Sequence, residues 1–452
     1  MTFKDLNLDK FLWNALDDMG FTQPTPIQVD ALAPVMSGGD VGGIAQTGTG
    51  KTYAYLLPIL RTLPYSRQEN PRVLILVPTR ELVLQVVSEL EKLTTYIDVR
   101  VAGVYGGANI NTQKALIAQG QDIVVATPGR LYDLAVSRVL QLKSIQKVVI
   151  DEVDVMLDLG FRPQLMNIFD ILPKRRQHIM FSATMTEDVD ALIKDYFSAP
   201  QFIKVAKSGT PLENITQIGY KMPNFYTKVN FLLEELAFSN KYPKVLLFVR
   251  DKRMADRLYS KLEEAFPGDV DLIHSNKTQN YRINSIKSFA KGKVRMMVAT
   301  DVMARGLDID DITHVININT PRFPENYLHR IGRTGRAQKE GVSIVFSTPE
   351  EDEYLAEIEA LMGVKVAIQP LPEDVAISKE LTPEERPEAK EIFNPHRWNK
   401  NDDDAPGPAF HDKSEKNSKV NLGGAYRREI AQKYKKPKTR GDKNYNKRNK
   451  RK

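Results

Sequence analysis

The 452 residues contain no cysteine, which excludes disulfides and any metal site built on thiolates. No run approaches the roughly 18 apolar residues that a membrane span requires. The first ten residues alternate charge and polarity and lack the apolar core of a secretory signal. A cytoplasmic location is therefore expected, and it rests on that missing signal, because cysteine-free chains occur in every compartment. No short-period repeat runs through the chain. What is present, 42% hydrophobic and 27% charged residues, suits a globular protein with a substantial core.

The net charge of +7 is local. Residues 425–452 hold 13 Lys or Arg against Glu429 and Asp442, a net +11, so the preceding 424 residues carry −4. Tyr426, Tyr434 and Tyr445 interleave with these cations, a combination suited to nonspecific RNA anchoring through counterion release and stacking. A solvated tail that aids solubility is the plainer alternative.

Short apolar runs at 41–44, 73–77, 99–104, 123–126, 148–150, 178–181 and 202–205 alternate with helical segments, and several are continuously apolar. That is the signature of parallel strands covered on both faces. Lys207-Ser208-Gly209-Thr210-Pro211 interrupts the series as a linker. A second series follows at 245–249, 270–274, 294–300, 314–318 and 343–346, with helical segments at 228–238, 252–266 and 280–290. The fold class is α/β, with two tandem parallel-sheet domains. Boundaries are expected at 1–206, 207–213 (linker) and 214–371. Residues 372–452 are expected to be a mostly disordered tail.

The chemistry centres on Ala45-Gln46-Thr47-Gly48-Thr49-Gly50-Lys51-Thr52, which follows an apolar run and opens a helix. Glycines let successive N–H groups curl around a phosphate chain. Lys51 can reach the β/γ-phosphates and the Thr52 hydroxyl can hold Mg2+. About a hundred residues on, Lys147-Val148-Val149-Ile150 ends in Asp151-Glu152. Asp151 at a strand tip suits Mg2+, directly or through water, and Glu152 can orient an attacking water. Together they predict nucleoside triphosphate hydrolysis. Upstream, Phe21-Thr22-Gln23-Pro24-Thr25-Pro26-Ile27-Gln28 offers an aromatic and an amide for an adenine. Pro78-Thr79-Arg80-Glu81-Leu82, Gly106-Gly107, Thr127-Pro128-Gly129-Arg130 and Ser182-Ala183-Thr184 each follow an apolar run, so each belongs at the carboxyl edge of the sheet. In the second domain, residues 299–308 and His329-Arg330-Ile331-Gly332-Arg333-Thr334-Gly335-Arg336 carry arginines among glycines but no phosphate loop. Such arginines make sense as fingers aimed across a cleft.

Taken together these motifs resemble the DEAD-box RNA helicases, superfamily-two enzymes of two RecA-like domains, from Phe3 to about Phe346. Ala45 in place of the usual leading glycine is what that family carries. The resemblance implies ATP and Mg2+ as cofactors and RNA as partner. Phe3, Phe21 and Gln28 would recognise adenine, with Gln46, Thr47, Gly48, Thr49, Gly50, Lys51 and Thr52 on the phosphates and Asp308 on the ribose. Thr52 and Asp151 would hold the metal. Lys51, Asp151, Glu152, Arg333 and Arg336 would form the hydrolytic set. Asp154, Ser182, Thr184 and His329 would couple nucleotide state to RNA grip. Arg80, Gly107, Thr127, Arg130, Gln279, Arg282, Thr300 and Gly306 would hold RNA backbone, leaving base sequence unread.

Four positions depart from the family's habit: Val153 for Ala, Arg250 for a small polar residue, Ser275-Asn276 for Gly-Asp, and Asn319 for Asp. None removes a hydrolytic group. A DNA translocase shares the two-domain engine, but the Gln28 element and residues 78–82 and 127–130 favour RNA. An ATP-gated RNA clamp would use the same residues.

Overall fold

Valine, isoleucine and leucine dominate the strands because both alternating sets of side chains are buried. A computed structural model describes residues 1–46, 48–204, 214–301, 309, 311–335 and 339–386. Strands β1 (Val41–Ile44), β2 (Val73–Leu76), β3 (Val101–Val104), β4 (Ile123–Ala126), β5 (Lys147–Ile150), β6 (Gln177–Ser182) and β7 (Gln201–Lys204) form one sheet. Its order is β3-β4-β2-β5-β6-β1-β7, parallel throughout. In β2, Val73 and Ile75 join a core shared with helices Pro26–Ser37, Lys51–Thr62 and Arg80–Leu93. Leu74 and Leu76 join the opposite core, with helices Pro128–Val136, Arg162–Ile171 and Glu187–Tyr196. Each such side chain contributes on the order of 2 kcal/mol, so a sheet bare on either face would lose half its support.

The second sheet repeats the plan with β8 (Ile215–Lys221), β9 (Val245–Val249), β10 (Val270–Ile273), β11 (Met296–Thr300), β12 (His314–Asn317), β13 (Gly341–Ser347) and β14 (Ala367–Gln369). Its order is β10-β11-β9-β12-β13-β8-β14, again parallel. Val245 and Leu247 pack with the helices Phe225–Leu236 and Lys252–Ala265. Leu246 and Phe248 pack with Phe289 of the helix Gln279–Ala290. Both sheets belong to one compact unit, residues 1–386.

Every expected strand is present, with ends moved by a residue or two. Two strands were not foreseen, β8 and β14. Residues 372–386, expected in the tail, pack on the second domain. Val375 and Thr382 are buried. Asn224 donates to the Ser378 carbonyl and Asn230 to that of Ala376, both at 2.6 Å. The Phe225 N–H donates to Glu385 (2.6 Å), and Arg257 pairs with Glu384 (3.1 Å). Polar side chains of one helix thus satisfy an irregular backbone. The linker at 207–213 and the rest of the tail lie outside the described residues.

The Asn319 departure is explained by a buried network. Lys228 donates to the Ile318 carbonyl (2.7 Å) and to Glu351 (3.1 Å). Asn319 donates to the other Glu351 oxygen (3.0 Å) and accepts from the Arg250 N–H (3.3 Å). An aspartate at 319 would set a second carboxylate against Glu351 and lose that donor. Asn319→Asp is expected to cost about 1–3 kcal/mol of stability, read as a lower urea midpoint; an unchanged midpoint would contradict this account. Among the other departures, Val153 is fully buried in the first domain's core. The Arg250 side chain is exposed beside Asp251, and Asn276 caps His274 through its N–H (3.3 Å).

Candidate nucleotide site and interdomain cleft

Strand order assembles what the sequence scatters. β1, β6 and β5 are neighbours, so the turn after β1, Ser182 at the end of β6 and Asp151 after β5 share one stretch of carboxyl edge. The Ala45 N–H donates to the Ser182 carbonyl at 3.0 Å, tying loop to strand. Gly48 and Gly50 adopt φ of 82° and 90°, left-handed values that suit glycine. The Thr49 hydroxyl closes the turn on the Gln46 carbonyl (2.7 Å). The helix Lys51–Thr62 starts there, aiming N–H groups at the turn. Lys51 is only 7% exposed, and its buried Nζ has no hydrogen-bond partner. A buried ammonium left so is costly, and a phosphate chain supplies what it lacks.

Gln28 caps its own helix and touches this turn. Its Oε1 accepts from the Thr25 N–H (3.0 Å) and its Nε2 donates to the Gly50 carbonyl (3.2 Å). One N–H and one lone pair stay free, enough for an adenine edge. A side chain on Gly50 would meet the Gln28 amide at 2.5 Å. Phe21 is 44% exposed and packs edge-on to Tyr53, with centroids 5.2 Å apart. Phe3 differs from expectation. Its ring is buried among apolar side chains, so it supports this element from within.

The acids are held firmly. Asp151 accepts from the Glu152 N–H through one oxygen (2.9 Å) and from the Tyr55 hydroxyl through the other (3.1 Å). Burial pushes its carboxyl up to about 6; Lys51 pulls against that and Glu152 adds to it. Glu152 sits at φ 51°, a conformation few such side chains adopt and one found at functional sites. Its buried Oε2 has no hydrogen-bond partner. Asp154 accepts from the Ala183 and Thr184 N–H groups and the Thr184 hydroxyl, at 2.9–3.1 Å. Burial alone would raise its carboxyl, but His329 and these donors hold it well below the usual range. Ser182 donates to the Thr184 carbonyl (2.7 Å), stiffening the same turn.

The second domain closes the site. His329 Nε2 lies 3.3 Å from Asp154, and Arg333 Nη2 lies 3.8 Å from Glu152. His329 lies on the helix Pro324–Ile331 and Arg333 just beyond its end; Arg330 braces that helix, donating to Asp301 (2.7 Å) and to the Asn319 carbonyl (2.9 Å).

The neighbouring strands β2, β4 and β3 carry a different group. Arg80 starts the helix after β2 and lies against Gly107, where an added Cβ would sit 2.2 Å from its guanidinium. Arg130 donates to Gln113 (2.8 Å) and to the Ala108 carbonyl (3.1 Å), while Thr127 is buried at the head of Arg130's helix. Gln279 and Arg282, expected on RNA, are engaged across the cleft. Arg282 pairs with Glu81, and Gln279 bonds both Arg80 (3.1 Å) and Glu81 (3.2 Å). Arg282 is 5% exposed, which leaves little of it for a ligand. Thr300 ends β11 half-buried. Thr47, Gly306, Asp308 and Arg336 lie outside the described residues.

Sequence reasoning passed over Glu81, Gln113, Tyr53 and Tyr55. Glu81 stood inside a motif already singled out, and Tyr55 follows Lys51 by four residues, one helical turn on the same face. Among the described residues no three His, Asp or Glu gather into a metal-binding group.

A phosphate loop on one sheet, acids two strands away and basic side chains from a second sheet define a two-domain, nucleotide-driven motor. The DEAD/DEAH box helicase family matches residues 25–192, and the helicase conserved C-terminal domain matches 227–338. The chain is 38% identical over 360 residues to the DEAD-box ATP-dependent RNA helicase CshA of Bacillus cereus, covering 79% of this chain and 67% of that one. It is 38% identical over 379 residues to the ATP-dependent RNA helicase RhlB of Pseudomonas syringae, covering 82% and 95%. It is similar to S. cerevisiae Dbp5 bound to RNA and ADP BeF3, with a TM-score of 0.75 at 27% identity over 82% and 95% of the two chains. The chain belongs to the DEAD-box ATP-dependent RNA helicases, and its sheets are tandem RecA-like domains. It uses ATP, which it hydrolyses in an RNA-stimulated manner.

Proposed function

We propose that ATP and RNA together draw the two domains onto a bent single strand, a path that an A-form duplex cannot follow, so that short duplexes separate locally. The observation that carries this is the composite site. Lys51 and Glu152 bury partnerless atoms in the first domain, while His329 and Arg333 reach the acids from the second. A site completed only when two domains meet ties hydrolysis to closure.

Within it, Lys51, Thr52 and the N–H groups of residues 46–50 take the triphosphate, and Phe21, Gln28 and Asp308 take the adenosine. Thr52 and Asp151 hold Mg2+, partly through water, and the ion supplies charge neutralisation at the phosphates. Glu152 orients the attacking water, and Arg333 and Arg336 balance spread charge. Asp154, Ser182, Thr184 and His329 carry nucleotide state to the RNA side. Arg80, Gly107, Thr127, Arg130, Thr300 and Gly306 take RNA backbone, with Gln279 and Arg282 holding Glu81 in register. The domains are read as 1–206 and 214–371, the second extended by the packed residues 372–386, around a linker at 207–213, in a cytoplasmic protein.

Multiple-turnover separation of a short RNA duplex is the test. Separation that needs ATP is expected; RNA-stimulated hydrolysis without separation would replace this reading with an ATP-gated clamp. The basic residues 425–452 are read as an added RNA anchor. Deleting the chain after Leu422 is expected to weaken RNA binding and flatten its salt dependence, by about 0.7 in log–log slope for each phosphate no longer neutralised, with basal ATPase kept. An unchanged slope would reject the anchor.

A further inference from the structure

We infer that Tyr55 is a positioning residue for the divalent cation, its hydroxyl orienting Asp151 before nucleotide arrives. The inference rests on the reading of Asp151 as a Mg2+ holder.

Residues 51, 52 and 55 share one face of the helix Lys51–Thr62, because side chains three and four apart are neighbours. The Tyr55 ring is fully buried against Phe181, with centroids 5.6 Å apart. Its hydroxyl donates to Asp151 Oδ2 at 3.1 Å. The other Asp151 oxygen already accepts from the Glu152 N–H. The carboxylate is therefore pinned at both oxygens, once by backbone and once by Tyr55.

Phenylalanine would fill the same volume without the cost of burying a hydroxyl. The hydroxyl's hydrogen bond runs to a carboxylate assigned to the cation. Mg2+ demands near-ideal geometry, and partners that orient metal-binding groups typically matter 10- to 100-fold in affinity.

The test is a Mg2+ titration of fluorescent ADP binding to the full chain. Tyr55→Phe is expected to raise the Mg2+ midpoint about tenfold and leave metal-free nucleotide affinity unchanged. An unchanged midpoint overturns the inference. A wild-type protein whose nucleotide binding ignores Mg2+ overturns the metal reading beneath it, a separate failure. In an Asp151→Asn background the Tyr55→Phe shift is expected to vanish; a shift that persists shows another route and also overturns the inference. If Tyr55→Phe does not fold, fluorotyrosine at position 55 keeps the ring and makes the hydroxyl more acidic. It must still move the midpoint, and failure to do so counts against the inference.

Discussion

Glu152→Gln is expected to cut RNA-stimulated ATP turnover by about 10²- to 10⁴-fold, the range for losing a positioned general base, while ATP and RNA still bind. Glutamine matches glutamate in shape, so the φ of 51° and the hydrogen bond from the Glu152 N–H to Asp151 should survive. The variant loses the charge and the capacity to accept a proton from water. Glu152 Oε2 has no hydrogen-bond partner and the other oxygen faces Arg333 at 3.8 Å, so a neutral side chain there also relieves a buried charge. Binding should therefore hold or tighten as chemistry fails, trapping a closed complex on RNA. Lys51→Ala is expected to fail one step earlier. It removes the buried ammonium at the head of the helix, so fluorescent nucleotide binding itself should drop. Single-turnover hydrolysis with RNA, run beside a binding titration, separates the two. Near-normal turnover in either variant would sink the site assignment.

The first-domain part of the site was legible in the sequence because the turn that leads to Lys51 and the pair Asp151-Glu152 each follow a continuous apolar run. Such runs are strands buried on both faces, and their ends mark the carboxyl edge of the sheet. Asp151 and Lys51 could be paired as motifs a hundred residues apart. The sequence did not reveal that β6 stands between their strands, since strand order is decided by which helices cover which face. β8 escaped notice because Thr216, Gln217 and Gly219 dilute its apolar pattern, and β14 because all three of its residues are exposed. The packed segment 372–386 is held largely by side-chain bonds to backbone, which leave no periodic trace. Glu81 and Arg282 lie 201 residues apart, and nothing local in either motif announces the other.

Their pairing has a function that single substitutions alone would blur. Glu81→Ala is expected to raise the RNA concentration for half-maximal ATPase by about 10²- to 10³-fold, with nucleotide affinity in the first domain little changed. The side chains are 8% and 6% exposed, and burial depresses the Arg282 guanidinium while Glu81 works against it. Removing one partner of a buried pair leaves the other charge uncompensated, at about 3–5 kcal/mol. That cost falls on the closed arrangement only, because in an open cleft water solvates both groups. It therefore appears as weaker closure and not as a lower melting temperature. Arg282→Glu should be at least as harmful, setting two carboxylates face to face. Combining Glu81→Arg with Arg282→Glu restores an ion pair with its sense reversed, and the Gln279 amide can turn to suit either partner. Recovery should be partial, since the new arginine would stand beside Arg80. ATPase against RNA concentration, together with an interdomain distance from fluorescence transfer, reads both effects. A double variant no better than the worse single one would mean that Glu81 and Arg282 act separately, Arg282 as a contact to RNA and not as the cleft's latch.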